Sequence, residues 1–482
     1  MSSKGKSGIL IHPTAFSSKY GIGDIGPEAY SFIDNLVKMG QSYWQILPIG
    51  PPDSSNSPYS LLSTFAGNPL LISIDVLVKD GLLFKHEIPK TIFSDSKVDF
   101  FKVKSFKNNI FKIVCKNFDT RSDDSFKKNF KNFCEKNMYW LDDYSEFSVI
   151  KQKTKYSTSW STWSEYQNIL DSEKKDVKIL QFIFDLQWKR LRRYCNNRNI
   201  KIIGDMPIYV SYESVDVWKN NNLFSLNDDK SIKYMAGCPP CEYSKDGQLW
   251  GNPIYNWDEH KKANYQWWVN RFKRLYEMVD TIRLDHFIGF SKYWEVPSNS
   301  KNALNGRWKK GPGEDFFEKI KNKIPNMSII AEDLGPTDDH VLNLRNEFNF
   351  PGMHVIQFDL KEEPEKIFFL ENSVLYSGTH DNDTLLGWLS KDEMSIKIKE
   401  KYFKKSEINN WDIIDFILKQ NSKLVIFQIQ DLVFLDSSSR FNTPGTLSSR
   451  NWTWRLHQDQ LKNEIINRMK KMVNLNNRLF TN

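Results

Sequence analysis

The chain has 482 residues, 40% of them hydrophobic and 26% charged; this is ordinary globular usage, unlike that of a disordered chain, with length for about three domains or one large domain with insertions. Its 67 Lys and Arg against 59 Asp and Glu leave a formal charge of +8, too small an excess over this length to require a nucleic-acid surface. Five Cys exclude a disulfide framework and fit a reducing compartment. No apolar stretch approaches the ~18 residues of a membrane span, and the opening MSSKGKSGILIHPTAF lacks a signal-peptide core. A soluble cytoplasmic protein, engaging neither nucleic acid nor membrane, is the expectation.

Taken in chain order, short β-rich runs ended by turn residues fall at 8–12 (GILIH), 43–47 (YWQIL), 200–205 (IKIIGD), 281–285 (TIRLD), 327–333 (MSIIAED), 353–358 (MHVIQF), 373–378 (SVLYSG) and 423–429 (KLVIFQI). Runs this short and this continuously apolar suit parallel strands buried on both faces. Helical patterns such as EAYSFIDNLVKMG and YQWWVNRFKRLYEMV lie between some of them, and the alternation predicts an α/β fold, a (β/α)8 TIM barrel. Two gaps, 48–199 and 206–280, are too long for simple barrel helices. The first is Lys- and Phe-rich and contains VDFFKVKSFKNNIFKIVCKNF and VKILQFIFDLQWKRLRRYC. Residues 75–195 are therefore expected to form a mainly helical inserted subdomain between strands 2 and 3. Residues 1–74 and 196–482 would form the barrel, with 206–257 a loop-rich insertion bordering the site and no sizeable domain after the eighth strand.

Barrel enzymes carry their chemistry at the C-terminal ends of their strands. Acids close or follow four of the runs there: Asp205, Asp285, Glu332 with Asp333, and Asp381. Carboxylates converging on one rim suit glycosyl transfer, in which one ionised acid attacks the anomeric carbon and a protonated one serves the leaving oxygen. A third acid can stabilise the oxocarbenium-like charge. Arg283, two residues before Asp285 on the same strand face, can hold a nucleophile ionised. The competing reading is that each acid caps the following helix or forms an ion pair; convergence separates the two. His12, His286 and His380 flank the rim and are read as hydrogen-bonding or packed side chains. With neither HExxH nor a zinc-type Cys/His array, no metal and no cofactor are predicted. The 16 Trp include several in loop segments such as GQLWGNPIYNWDEH and LSSRNWTWR, where rings can face sugars or simply fill the core.

Together TIRLDHFIGF, AEDLG, SGTHDNDT, GDMPIYV, SPYSLLSTFAGNPLL and GQLWGNPIYNWD resemble the 4-α-glucanotransferases (amylomaltases, or disproportionating enzymes) of the α-amylase superfamily, from about Gly8 to Leu456. The resemblance implies a barrel without a separate C-terminal β domain. It implies a retaining transfer of α-1,4-glucan segments from maltooligosaccharides, or from starch- or glycogen-derived glucans, to the 4-hydroxyl of glucose or another glucan. By the same resemblance Asp285 would be the nucleophile, Glu332 the general acid/base and Asp381 the transition-state stabiliser. Arg283, His380 and Asp205 would bind sugar at the cleavage subsite or order the nucleophile, and Tyr59 would stack on that sugar. Trp250 and Asn252 would line the donor groove, with His286 a further substrate contact. One departure stands out: AGCPPCEYS replaces the usual AGVPPDYFS, placing Cys241 and Glu242 where the family has an acid and an aromatic. A hydrolase on the same scaffold, a non-catalytic glycan-binding protein, and a redox role for Cys238-Pro-Pro-Cys241 are the alternatives.

Overall fold

Eight of the apolar runs become parallel strands of one sheet that curls into a barrel. The computed structural model describes residues 5–154, 158–163, 169–240, 244–362, 371–391 and 399–479. In chain order the strands are β1 (Lys6–Leu10), β2 (Tyr43–Gln45), β3 (Lys201–Pro207), β4 (Tyr234–Cys238), β5 (Gln248–Pro253), β6 (Thr281–Asp285), β7 (Lys292–Pro297), β8 (Arg307–Lys310), β9 (Ile329–Ala331), β10 (Gly352–Val355), β11 (Ser373–Tyr376) and β12 (Leu424–Gln428). The barrel order is β10-β11-β12-β1-β2-β3-β6-β9, so each strand lies beside the next barrel strand in the chain. A backbone bond from Ala331 N–H to the Pro351 carbonyl, 2.9 Å, bridges its two ends. Every residue of β12 and of β11 is buried, as strands enclosed by helices on the outside and by the filled interior must be.

The strand formed from the sixth run, 353–358, is shorter than its apolar pattern. Pairing with β11 ends at Val355↔Tyr376, and Ile356–Glu362 turns helical. There the Gln357 amide donates to the Ser377 and Asp383 carbonyls at 3.0 and 2.8 Å, which replaces strand pairing with a side-chain bridge under the next loop.

Helix Pro27–Lys38 begins with Pro in its first turn and buries Ala29, Phe32, Ile33 and Leu36, the spacing of one helical face. The long helices Phe100–Arg121, Asp124–Lys153 and Asp171–Asn196 pack on one another, and the last also lies against β3 and helix Pro27–Lys38. Gln181 on that helix holds the Gly67 backbone at both ends, accepting from its N–H at 2.8 Å and donating to its carbonyl at 2.9 Å. A methyl at Gly67 would meet the Phe184 ring at 2.0 Å. Gly67→Ala is therefore expected to destabilise the protein by about 1–3 kcal/mol, read as a lower denaturation midpoint with unchanged slope in urea.

A second sheet was not legible in the sequence. β5, β4, β7 and β8 form an antiparallel sheet in that order, two of its strands lying within the excursion 206–257. YMAGC and QLWGNP carry Gly and Pro and do not alternate, so they hold as strands by pairing with neighbours, β4 against β7, rather than by propensity. Among the described residues no helix is long and apolar enough to cross a membrane.

Candidate active site

Strand register assembles the first half of the site. β3 and β6 pair Asp205 with Arg283, and Arg283 Nη1 donates to Asp205 Oδ1 and Oδ2 at 2.9 and 2.8 Å. Arg283 and Asp285 share a face of β6, and the same Nη1 reaches Asp285 Oδ1 at 2.8 Å. The Arg283 and Asp205 side chains are 5% and 0% exposed, whereas Asp285 is 25% exposed; the ion pair is sealed inside and the free end of Asp285 opens outward. Burial works against the Arg283 charge, but Asp205 and then Asp285 hold its pKa well above the ordinary value. Burial also pushes the Asp205 pKa up against the pull of Arg283.

Glu332 arrives on the neighbouring strand. β6 and β9 pair Leu284 with Ala331, so Asp285 and Glu332 stand one step beyond on adjacent strand tips, their backbones roughly 5 Å apart. His286 adopts φ 52°, a left-handed conformation that a side-chain-bearing residue seldom takes. It places the His286 N–H on Glu332 Oε2 at 2.7 Å. Glu332 N–H donates to the Leu284 carbonyl at 3.0 Å, and the Glu332 carbonyl accepts from Phe287 N–H at 2.8 Å. Burial first, and the like charge of Asp285 after it, raise the Glu332 pKa to about 8, against the opposing pull of Arg283 and the His286 N–H. The shift is toward the protonated form that a proton donor needs.

Asp381 stands on the loop after β11 with 44% of its side chain exposed. Asn442 Nδ2 donates to its Oδ1 at 2.7 Å, and His380 Nε2 lies 3.4 Å from its Oδ2. Arg440 Nη2 donates to its backbone carbonyl at 2.7 Å, while the Asn442 N–H donates to the His380 carbonyl at 3.1 Å. Burial works upward on the Asp381 pKa, but His380, the Asn442 amide and Arg283 outweigh it and hold it at about 2. Two carboxyls of opposite protonation at one barrel mouth are the combination expected of acid/base glycosyl chemistry.

Tyr59 ties the two halves together. Its hydroxyl donates to Asp205 Oδ2 at 2.7 Å and lies 3.3 Å from His380 Nδ1, and the two rings stack at 4.8 Å. Trp250, on β5, meets the His286 ring edge-on at 4.8 Å. Burial lowers the His286 pKa to about 4, which leaves this ring neutral at pH 7. The Asn252 amide donates to the Val210 carbonyl at 2.8 Å, pinning β5 to the segment that follows β3. His12 is buried, with no hydrogen-bond partner at Nδ1 among the described residues; burial and then His380 lower its pKa to about 3. Among the described residues no group of His, Cys, Asp and Glu is arranged to hold a metal ion. Cys238 closes β4; Cys241 and Glu242 lie outside the described residues.

Three contributors escaped the sequence reading. Asn442 and Arg440 lie 61 and 59 residues from the Asp381 that they hold, and FNTPG carries no local sign of that pairing. Trp452, with its ring 6.0 Å from Tyr59 and 5.9 Å from His380, was visible only as one aromatic in a loop. Asn442→Ala is expected to lower kcat about tenfold, the scale of one hydrogen bond to a charged group, with KM nearly unchanged; steady-state kinetics at saturating substrate checks this.

Comparison with known proteins agrees with this architecture. The family model described as 4-alpha-glucanotransferase matches residues 11–461. A 4-alpha-glucanotransferase of Clostridium butyricum is 40% identical, the alignment covering 96% of this chain and 99% of the relative; one from Aquifex aeolicus is 38% identical, covering 96% and 98%. The solved amylomaltase from Streptococcus agalactiae, a complex with acarbose, superimposes with a TM-score of 0.92 at 33% identity, over 98% of this chain and 100% of that one. With a match that runs nearly from end to end and a barrel of the same form, the chain belongs to the 4-alpha-glucanotransferase family.

Proposed function

We propose that this enzyme transfers α-1,4-glucan segments from a donor maltooligosaccharide to the 4-hydroxyl of a glucose or glucan acceptor, by double displacement with retention at the anomeric carbon. Asp285 attacks that carbon while Glu332 gives its proton to the departing O4, leaving the donor segment as an ester on Asp285. The acceptor hydroxyl then loses its proton to Glu332 and attacks the anomeric carbon, whose bond to the Asp285 carboxylate breaks, so that Asp285 is freed. Asp381, ionised over the whole working range, faces the positive charge that develops on the ring. Arg283, anchored by Asp205, holds one oxygen of Asp285 and aims the carboxylate, and Tyr59 and His380 form the floor beneath the reacting sugar. Trp250, Asn252 and His286 border the groove from the β5 side.

One observation carries this reading: Asp285 and the buried carboxyl of Glu332 on adjacent strand tips. Retaining pairs stand about 5–5.5 Å apart, too close to admit the water that an inverting pair activates, and side chains carried on neighbouring strand tips, whose backbones lie about 5 Å apart, favour the retaining kind. Maltooligosaccharides and starch- or glycogen-derived glucans are the proposed donors, in keeping with the family and with the acarbose bound by the S. agalactiae relative. Cys115, Cys134 and Cys195 form no disulfides, which supports a cytoplasmic setting.

Maltotriose alone tests the assignment. Transfer yields glucose together with a ladder of longer and shorter oligomers; a digest that yields glucose and maltose with nothing longer than the substrate makes the protein a hydrolase.

A further inference from the structure

We propose that Asp333 is a positioning residue for Glu332: it clips the last seam of the barrel, and so keeps the Glu332 tip beside Asp285. The proposal rests on the assignment of Glu332 as acid/base.

The barrel's neighbouring strands are joined by ladders except at one place, between β9 and β10. There Ala331 N–H reaches the Pro351 carbonyl at 2.9 Å. Further along, where a ladder would use backbone on both sides, Met353 N–H instead donates to the Asp333 carboxylate, Oδ1, at 2.8 Å. The second oxygen, Oδ2, takes Nη1 of Arg345 at 2.5 Å, and the Asp333 side chain is only 5% exposed. Arg345 comes from helix Asp339–Glu347, so strand, strand and helix meet on one carboxylate. The approach is tight. A Cβ on Gly352 would stand 2.4 Å from Arg345 Nη1 and 2.9 Å from Asp333 Oδ2, so a side chain there would push on the pair.

Glu332 is bonded on its β6 side through its own N–H, carbonyl and side chain. On its β10 side the bonds are made by its two neighbours in the chain, Ala331 and Asp333. Asp333 is therefore what fixes the tip that carries Glu332 once β9 has ended. Arg283 touches Met353 only through Nε and Sδ, at 3.3 Å, and its bonds to Asp205 and Asp285 do not involve Asp333, so the nucleophile keeps its place when the clip is lost. A displacement on the order of 1 Å at a reacting group costs about 100-fold in rate, which is the size of effect a loosened seam should have.

An ion pair that merely stabilised the fold would give a different pattern, and donors with different leaving groups separate the two. Cleaving maltotriose needs a proton on the departing oxygen. Cleaving α-maltotriosyl fluoride does not: the C–F bond breaks, the ester to Asp285 forms, and fluoride leaves as the ion. Asp333→Ala is expected to lower kcat on maltotriose about 100-fold, with KM within about threefold. The first burst of fluoride from the fluoride donor should stay within about threefold of the unaltered enzyme. Asp333→Asn, which keeps an acceptor for the Met353 N–H, should recover much of the loss. Should Asp333→Ala fail to fold, Arg345→Met, which frees one carboxylate oxygen, is measured in its place with the same donor-dependent pattern expected.

Equal losses on both donors, or undiminished maltotriose turnover, overturn the proposal. Glu332→Gln run in parallel separates the two layers of argument. If that variant gains nothing from the fluoride donor, the assignment of Glu332 fails; if it gains and the Asp333 variants do not, the clip fails while Glu332 stands.

Discussion

Asp285→Asn is expected to lower disproportionation of maltotriose by about 10⁴-fold or more, the scale on which removing a covalent nucleophile acts, while circular dichroism and melting temperature stay close to those of the unaltered protein. The carboxamide has nearly the same shape but no negative charge with which to form the ester. The fold should survive because Arg283, the buried partner of Asp285, keeps both of its bonds to Asp205 and is not left unpaired. The exposed end of Asp285 supports no other described element. Removing its charge also removes one of the influences that raise the Glu332 pKa, so Glu332 should titrate lower in this variant, observable by carbon NMR of a labelled carboxyl. Near-normal transfer by Asp285→Asn would falsify the nucleophile assignment outright.

Glu332→Gln should slow both half-reactions by about 10²–10⁴-fold, the usual contribution of a positioned proton donor. Its pH signature distinguishes this loss from a structural one. Glu332 acts first as an acid and must hold its proton when donor binds. Its pKa of about 8, raised by burial and by Asp285, keeps it protonated below that pH and strips it above. In the unaltered enzyme kcat/KM for maltotriose should therefore fall as pH rises through about 8. The residual activity of Glu332→Gln should lack that basic limb, since an amide does not titrate there. A basic limb that survives in Glu332→Gln assigns the titration to another group. Asp381, held ionised at about 2, is a poor candidate for it, and His286, neutral above about 4, is another.

The two halves of the site differ in how visible they were before folding. Asp205, Asp285, Glu332 and Asp381 could be picked out because each follows an apolar run at the place where a barrel strand ends. Arg283 followed from alternation along one strand. Tyr59, His380, Trp250 and Asn252 were reached through motifs rather than through periodicity, and the structure brings Tyr59 and His380 together on Asp205 and Asp381. By contrast Asn442, Arg440 and Trp452 came from a loop with no periodic signal. The four-stranded sheet beside the cleft was hidden as well, because its strands depend on partners tens of residues away.

What the amino-acid order determined by itself was the set of eight strands, the acids at their ends and the family to which their motifs belong, since short apolar runs, strand ends and motifs are local properties of a chain. The tertiary structure alone decided which acid keeps its proton, which oxygen each amide and guanidinium takes, and how β9 is closed against β10. Those outcomes depend on burial and on distances between residues far apart in sequence: a carboxyl's charge state is set by the water it loses and by the charges the barrel brings within a few ångströms of it.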